Sequence, residues 1–166
     1  INTRVVRRSH ALLGYPWGSH FRYDEAILTG DGPSGFAKAV MIACGTELRN
    51  KVAGIGSLRK LLAKVVPAPG EGPSVADMEN GFFEIELRAS NPEDPKKDLT
   101  AVVTGDRDPG YGSTCKMIAE SAVCLAMDHL DSAGGFLTPA SAMGDLLISR
   151  LGEKGGMGFT LKATKE

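Results

Sequence analysis

The chain has 166 residues, 42% hydrophobic and 23% charged, a composition that excludes a disordered segment. Its formal net charge of −1 removes the broad basic footprint that nucleic-acid binding requires. The 21 Gly and 9 Pro exceed average usage and predict many turns and loops.

In chain order, Val5, Val6, Leu12 and Leu13 recur at a helical spacing, and Gly14 closes a short helix begun after Asn2 or Thr3. In the run FRYDEAILT, Phe21, Tyr23 and Glu25 alternate with Arg22, Asp24 and Ala26. The alternation predicts a half-exposed strand over Phe21–Thr29. The turn GDGPSG leads into a helical run over residues 36–52, and a second helix is expected over Ser57–Val66 before Pro67 stops it. A long loop follows, with one turn of helix capped by Ser74 and Asp77.

Phe83, Ile85 and Leu87 alternate with Glu84, Glu86 and Arg88, the cleanest strand pattern in the chain. SNPEDPKKD is a turn-rich connector and LTAVVTG a second strand, together an antiparallel hairpin. A helix is expected over Ser113–Leu130. Thr138 then caps another that has Pro139 at its first position, Met143, Leu147 and Leu151 as its stripe, and Gly152 as its end. Phe159 and Leu161 predict a short closing strand. The fold class is therefore α+β, a mainly antiparallel sheet with flanking helices.

Cys44, Cys115 and Cys124 form no C-x-x-C, and two of them sit in apolar runs, so free thiols in a reducing, cytoplasmic setting are expected. No charged stretch followed by an apolar one opens the chain. The longest apolar run, Ala39 to Cys44, is far short of the roughly 20 residues a spanning helix needs. An intact translation product begins with Met, so the leading Ile1 predicts a piece of a longer protein.

Gly30, Gly32 and Gly35 spell G-x-G-x-x-G ahead of a helix, the context of a dinucleotide loop. The charged strand before it, the missing acidic ribose partner beyond it, and the N–H lost at Pro33 favour an ordinary glycine turn. His10, His20 and His129 are too far apart for a metal array and read as surface or locally hydrogen-bonded histidines; no metal is expected. No G-x-S-x-G or cysteine–histidine pattern marks a nucleophile, so the catalytic residues stay unassigned.

Two segments carry the candidate sites. SHALLGYPWGSHFRYDE concentrates Ser9, Tyr15, Trp17, Arg22, Tyr23 and Glu25, a density of aromatic and hydrogen-bonding groups that suits a substrate wall. The competing reading makes Tyr15 and Trp17 the cover of a helix-to-strand corner. DRDPGYGSTCKM brings Tyr111, Gly112, Ser113 and Thr114 to a helix N-terminus, where free amides and two hydroxyls would hold an anionic group. The competing reading makes Ser113 a plain N-cap.

VVRRSHALLGYPWGSHFRYDEAILTG, PAPGEGPSVADMENGFFEIEL, GDRDPGYGSTCKMIAESAVCLA and GGFLTPASAMGDLLISRL resemble consecutive blocks of saccharopine dehydrogenase-like oxidoreductases. Within that family they resemble the trans-acting enoyl reductases most. The resemblance runs from Val5 to Phe159. It implies a parent enzyme with an N-terminal Rossmann domain for NADP or NAD that is lacking here, so that this portion alone would not bind the cofactor. It implies hydride transfer to an enoyl or imine-type substrate, on polyketide-type lipid chains in the trans-acting members.

Under that resemblance residues 1–106 form a substrate-binding and dimerisation lobe. Residues 107–166 form a helical segment that returns to the nucleotide domain and brings Tyr111–Thr114 toward the cofactor. The implied partners are the chain's own Rossmann domain, a second copy in a homodimer, and a small organic or lipid-like substrate. No nucleic acid is among them, and membrane or lipid-droplet contact is at most peripheral. Two other classes stay open. One is a self-sufficient lipid or small-ligand module built on Phe36–Cys44 and Tyr15–Tyr23. The other is a non-catalytic dimerisation domain whose strands Phe82–Ala89 and Asp98–Thr104 present a sheet face to a partner.

Overall fold

A computed structural model describes residues 2–53, 55 and 70–162. The helix expected over Ser57–Val66 lies outside the described residues. The chain divides into two units, Ile1–Tyr23 with Pro73–Glu166, and Asp24–Gly72.

In the first unit, α1 spans Asn2–Leu12. Gly14, at φ 78°, ends it: its N–H donates to the Ala11 carbonyl at 3.1 Å and the Tyr15 N–H to the His10 carbonyl at 2.8 Å. This pair of bonds is a Schellman motif, which needs the left-handed residue that Gly14 supplies. The burial on α1 differs from its sequence stripe. Val5 and Leu12 are exposed while Ser9 and His10 are buried.

The turn of helix after the long loop is α3, Val75–Asn80. Ser74 and Asp77 form the expected capping box: the Asp77 N–H donates to Ser74 Oγ and the Ser74 N–H to Asp77 Oδ2. Strands β1 (Phe83–Ala89), β2 (Leu99–Gly105) and β3 (Met157–Lys162) make one antiparallel sheet in that order, with β2 central. A 3-10 turn at Pro95–Lys97 links β1 to β2. The register sets Ile85 opposite Val103 and Val103 opposite Phe159, so alternate residues of all three strands share a face. Gly105 is required where it stands, since a Cβ there would strike the Phe83 ring across the ladder.

Between β2 and β3 come α4, Gly112–Met127, and α5, Pro139–Glu153. Thr138 caps α5 in a second capping box with Ser141, and α5 kinks at Gly144, whose φ of 49° no helix contains. The two helices pack on one another around Cys124, Met143 and Leu151, which with Val102 are the buried apolar side chains among the described residues. Arg150 clamps them, its guanidinium 3.1 Å from Glu120 and 3.0 Å from Asp128. That pairing explains why α4 stops at Met127, short of Leu130. Asp128 leaves the helix as its C-cap with its carboxylate committed to Arg150.

The α+β class with an antiparallel sheet is the observed architecture. β3, from the later segment of the chain, pairs with β2 and completes the sheet begun by β1 and β2.

The second unit holds α2, Gly32–Ala53. It starts four residues before the expected Phe36, since Pro33 suits a first helical turn whose N–H groups have no intrahelical partner. Gly30 and Gly32 take positive φ, and a Cβ on Gly35 would strike the Gly30 carbonyl, so the turn folds tightly onto the helix start. No strand forms over Phe21–Thr29. Alternation makes a strand only when a neighbouring strand takes its hydrogen bonds, and here Ile27 and Leu28 stand exposed instead. Among the described residues no helix is long and apolar enough to cross a membrane.

Candidate functional site

The Schellman turn that ends α1 folds the Gly14–Gly18 segment back over His10. The Tyr15 ring meets the imidazole edge-on, with centroids 5.1 Å apart, which is the side-chain contact this motif favours between its outer residue and the last helical turn. Trp17 stacks on the imidazole at 5.0 Å with planes 12° apart, and Phe21 closes the third side at 4.7 Å. The cost of the fold-back is visible at Tyr15, which holds φ 60°, a region that L residues with bulky side chains rarely occupy.

His10 is 6% exposed. Its Nε2 lies 2.9 Å from the Gly18 carbonyl oxygen, which only accepts, so Nε2 carries the proton and donates. Nδ1 is buried and without a hydrogen-bond partner. Buried polar atoms left in this state are uncommon. Beside the ring opens a shallow cleft of about 630 Å³, lined by His10, Ala11, Tyr15, Gly18, Ser19 and Phe21, with Arg7 beside them. One cationic side chain at the edge of an aromatic floor suits an amphipathic organic molecule that carries an anionic or strongly polar group.

The six residues expected for the substrate wall are divided by the fold. Tyr15 lines the cleft, and Trp17 braces it from behind His10. Ser9 is buried beneath, where its Oγ donates to the Val5 carbonyl and sits 2.8 Å from Thr138 Oγ1, tying α1 to the cap of α5. Arg8 adds a second tie, donating to the Phe136 carbonyl. Arg22 and Tyr23 stand outside the cleft lining, and Glu25 belongs to the second unit. Sequence reasoning missed His10, Phe21 and Arg7. A His followed four residues later by G-Y-P-W-G was the available signal, since Gly14 places Tyr15 back on the last turn of the helix.

At the start of α4 the donors already have partners inside the loop. The Asp108 carboxylate accepts the N–H groups of Gly110, Tyr111 and Gly112 at 2.9, 3.1 and 2.6 Å. Ser113 Oγ donates to the Arg107 carbonyl and Thr114 Oγ1 to that of Pro109. The backbone bonds, led by the one from Gly112, hold the Asp108 carboxyl below its ordinary range. Asp108 is thus the anion of this helix start. A nucleotide phosphate brought there would meet a carboxylate, and the donor set does not fit one. A Cβ on Gly112 would crowd Arg107, Asp108 and Met78, so the loop closes around this carboxylate. Among the described residues no group of His, Cys, Asp and Glu is placed to hold a metal.

No family model matches the chain, and no solved structure matches it. Curated proteins do. The chain is 35% identical over 162 residues to a trans-acting enoyl reductase of Mycobacterium ulcerans, an alignment covering 93% of this chain and 37% of that protein. It is 35% identical over 158 residues to a trans-acting enoyl reductase of Mycobacterium tuberculosis, covering 90% of this chain and 36% of the relative. A second Mycobacterium tuberculosis protein, whose name places it provisionally in the same group, is 39% identical over the same proportions, 90% and 36%. The chain is therefore similar, along nearly all of its length, to about a third of the length of trans-acting enoyl reductases.

Proposed function

We propose that the chain is the substrate-binding and assembly portion of an NAD(P)-dependent, saccharopine dehydrogenase-like enoyl reductase. One observation carries this reading: identity of 35–39% over at least 90% of the chain to relatives named for enoyl reduction, of which it spans only 36–37%. In this reading the hydride donor, NADPH or NADH, binds residues outside the described ones, on a Rossmann domain that partners this chain. The role proposed for the Tyr111–Thr114 loop narrows to the exposed Tyr111 ring, because its amides serve Asp108. The His10 cleft receives part of a small organic or lipid-like substrate, against Tyr15 and Phe21 with Arg7 at its edge.

Titrating the 166-residue chain with NADPH tests this division of labour. No saturable binding is expected from the chain, and micromolar binding is expected from a longer chain that includes the nucleotide domain. Micromolar binding by the 166 residues alone contradicts it.

A second reading, a self-sufficient ligand or lipid module at most peripheral to membranes, is favoured by the exposed apolar side chains of α2, among them Phe36, Met41 and Leu48. Native mass spectrometry separates the two. A lipid-loaded chain favours the module, and a lipid-free one the reductase portion.

A further inference from the structure

Most arginines of the first unit are committed. Arg8 donates to the Phe136 carbonyl, Arg88 pairs with Glu86, Arg107 with Glu79, and Arg150 with Glu120 and Asp128. Arg4, Arg7 and Arg22 engage no hydrogen bond or ion pair among the described residues. Arg4 and Arg7 share a face of α1, one helical turn apart, and α1 contains no carboxylate to neutralise either. Of the three, Arg7 lines the His10 cleft. Ser19 lines it too, and neither its hydroxyl nor its N–H has a partner among the described residues. The cleft therefore joins a free guanidinium and two free donors to the rings of Tyr15 and Phe21, with no carboxylate in its lining.

We infer that this cleft is a subsite for an organic phosphate monoester, with the phosphate at Arg7 and Ser19 and the organic part on Tyr15 and Phe21. The inference rests on the reading of the cleft as part of the substrate site, and it names the end of the substrate that enters. A guanidinium fork matches two oxygens of an oxyanion. A carboxylate offers both of its oxygens to that fork, whereas a phosphate presents a third to the Ser19 donors. The second positive charge, at Arg4, favours a dianion over a monoanion. A cleft of about 630 Å³ lies in the range that holds a small organic molecule, so the anion arrives with an apolar group attached. Soluble phosphate monoesters and the head group of phosphatidic acid share this chemistry.

An NMR titration of the 166-residue chain, read at the indole N–H of Trp17, tests the subsite with phenyl phosphate, benzoate and phenol. Phenyl phosphate is expected to saturate and to bind about 10-fold or more tighter than either of the others, the discrimination that charge-assisted hydrogen bonds supply. Arg7→Gln should weaken phenyl phosphate to about the level of phenol. Arg7 is exposed, so the variant should keep the wild-type circular dichroism. Lys96→Gln, on the turn between β1 and β2, should change nothing. Equal binding of the three probes, or an Arg7→Gln variant that binds phenyl phosphate as the wild type does, overturns the inference. So does inorganic phosphate that binds as tightly as phenyl phosphate. Phosphatidylcholine vesicles with and without phosphatidic acid separate the two sources. Co-sedimentation that requires both phosphatidic acid and Arg7 assigns the subsite to a lipid, and its absence beside saturable phenyl phosphate assigns it to a soluble ester. A short α,β-unsaturated acyl thioester in the same titration separates this inference from the reading beneath it. Thioester binding without phosphate discrimination strikes the subsite alone, whereas loss of both strikes the substrate reading as well.

Discussion

Trp17 lies flat on the His10 imidazole, their centroids 5.0 Å apart and planes 12° apart. The stack joins the last turn of α1 to the turn that follows, so the cleft wall is held by ring contacts and one histidine bond to Gly18. Replacing His10 with Ala removes a buried ring, that bond and three aromatic neighbours at once. A loss of about 2–4 kcal/mol is expected in urea unfolding. Trp17 is the chain's one tryptophan, so its emission should also shift to the red. Unchanged emission would show that the stack does not persist in solution.

Thr138 both caps α5 and receives Ser9 from α1. Thr138→Ala should cost about 1–3 kcal/mol, the sum of a lost cap and a lost buried hydrogen bond. Thr138→Ser keeps the hydroxyl and should recover most of it. Equal melting temperatures for the Ala and Ser variants would contradict the role of the hydroxyl.

Arg150 stands between two carboxylates, Glu120 and Asp128, and pairs with both. Arg150→Ala leaves Glu120 and Asp128 facing each other in a partly buried seam, for an expected loss of about 2–3 kcal/mol. A double-mutant cycle with Asp128→Ala should return a coupling of about 1 kcal/mol or more. A coupling near zero would make the clamp a surface pair of no consequence.

Asp108 gives the acid side of the stability profile a definite sign. Its folded carboxyl is held below the ordinary value of 3.8 by amide bonds from Gly112, Tyr111 and Gly110. The folded state therefore binds the proton more weakly than the unfolded state. The stabilisation is complete above the unfolded value and disappears as pH falls through the lower folded one. Urea unfolding of Asp108→Asn below about pH 4 should lack this part of the decline. A variant whose acid profile parallels the wild type contradicts the assignment.

The elements legible in the sequence were those fixed by short-range chemistry. Ser74 with Asp77 and Thr138 with Pro139 announce helix starts because the capping groups lie three residues apart on one chain. The alternation Phe83–Glu84–Ile85–Glu86 announces a strand whose partner is the next alternating run. Phe21–Thr29 has similar alternation but joins no ladder among the described residues, and a ladder cannot be inferred from one side of it. The candidate wall was half legible for the same reason. Tyr15 and Trp17 stood out by type, whereas His10 enters only through a turn that brings Gly18 and three rings onto it. At Tyr111–Thr114 the sequence shows donors near a helix start, but which carboxylate consumes them depends on how the Asp108 loop closes.

The most direct test of the account is a fluorescence titration of Trp17 with a short α,β-unsaturated acyl thioester, in the wild type and in Tyr15→Ala and Phe21→Ala. Saturable quenching is expected in the wild type and about 5-fold or more weaker binding in each variant, the equivalent of about 1 kcal/mol for truncating an aromatic anchor. Quenching that never saturates, or saturates equally in all three proteins, would contradict the assignment of the His10 cleft to the substrate.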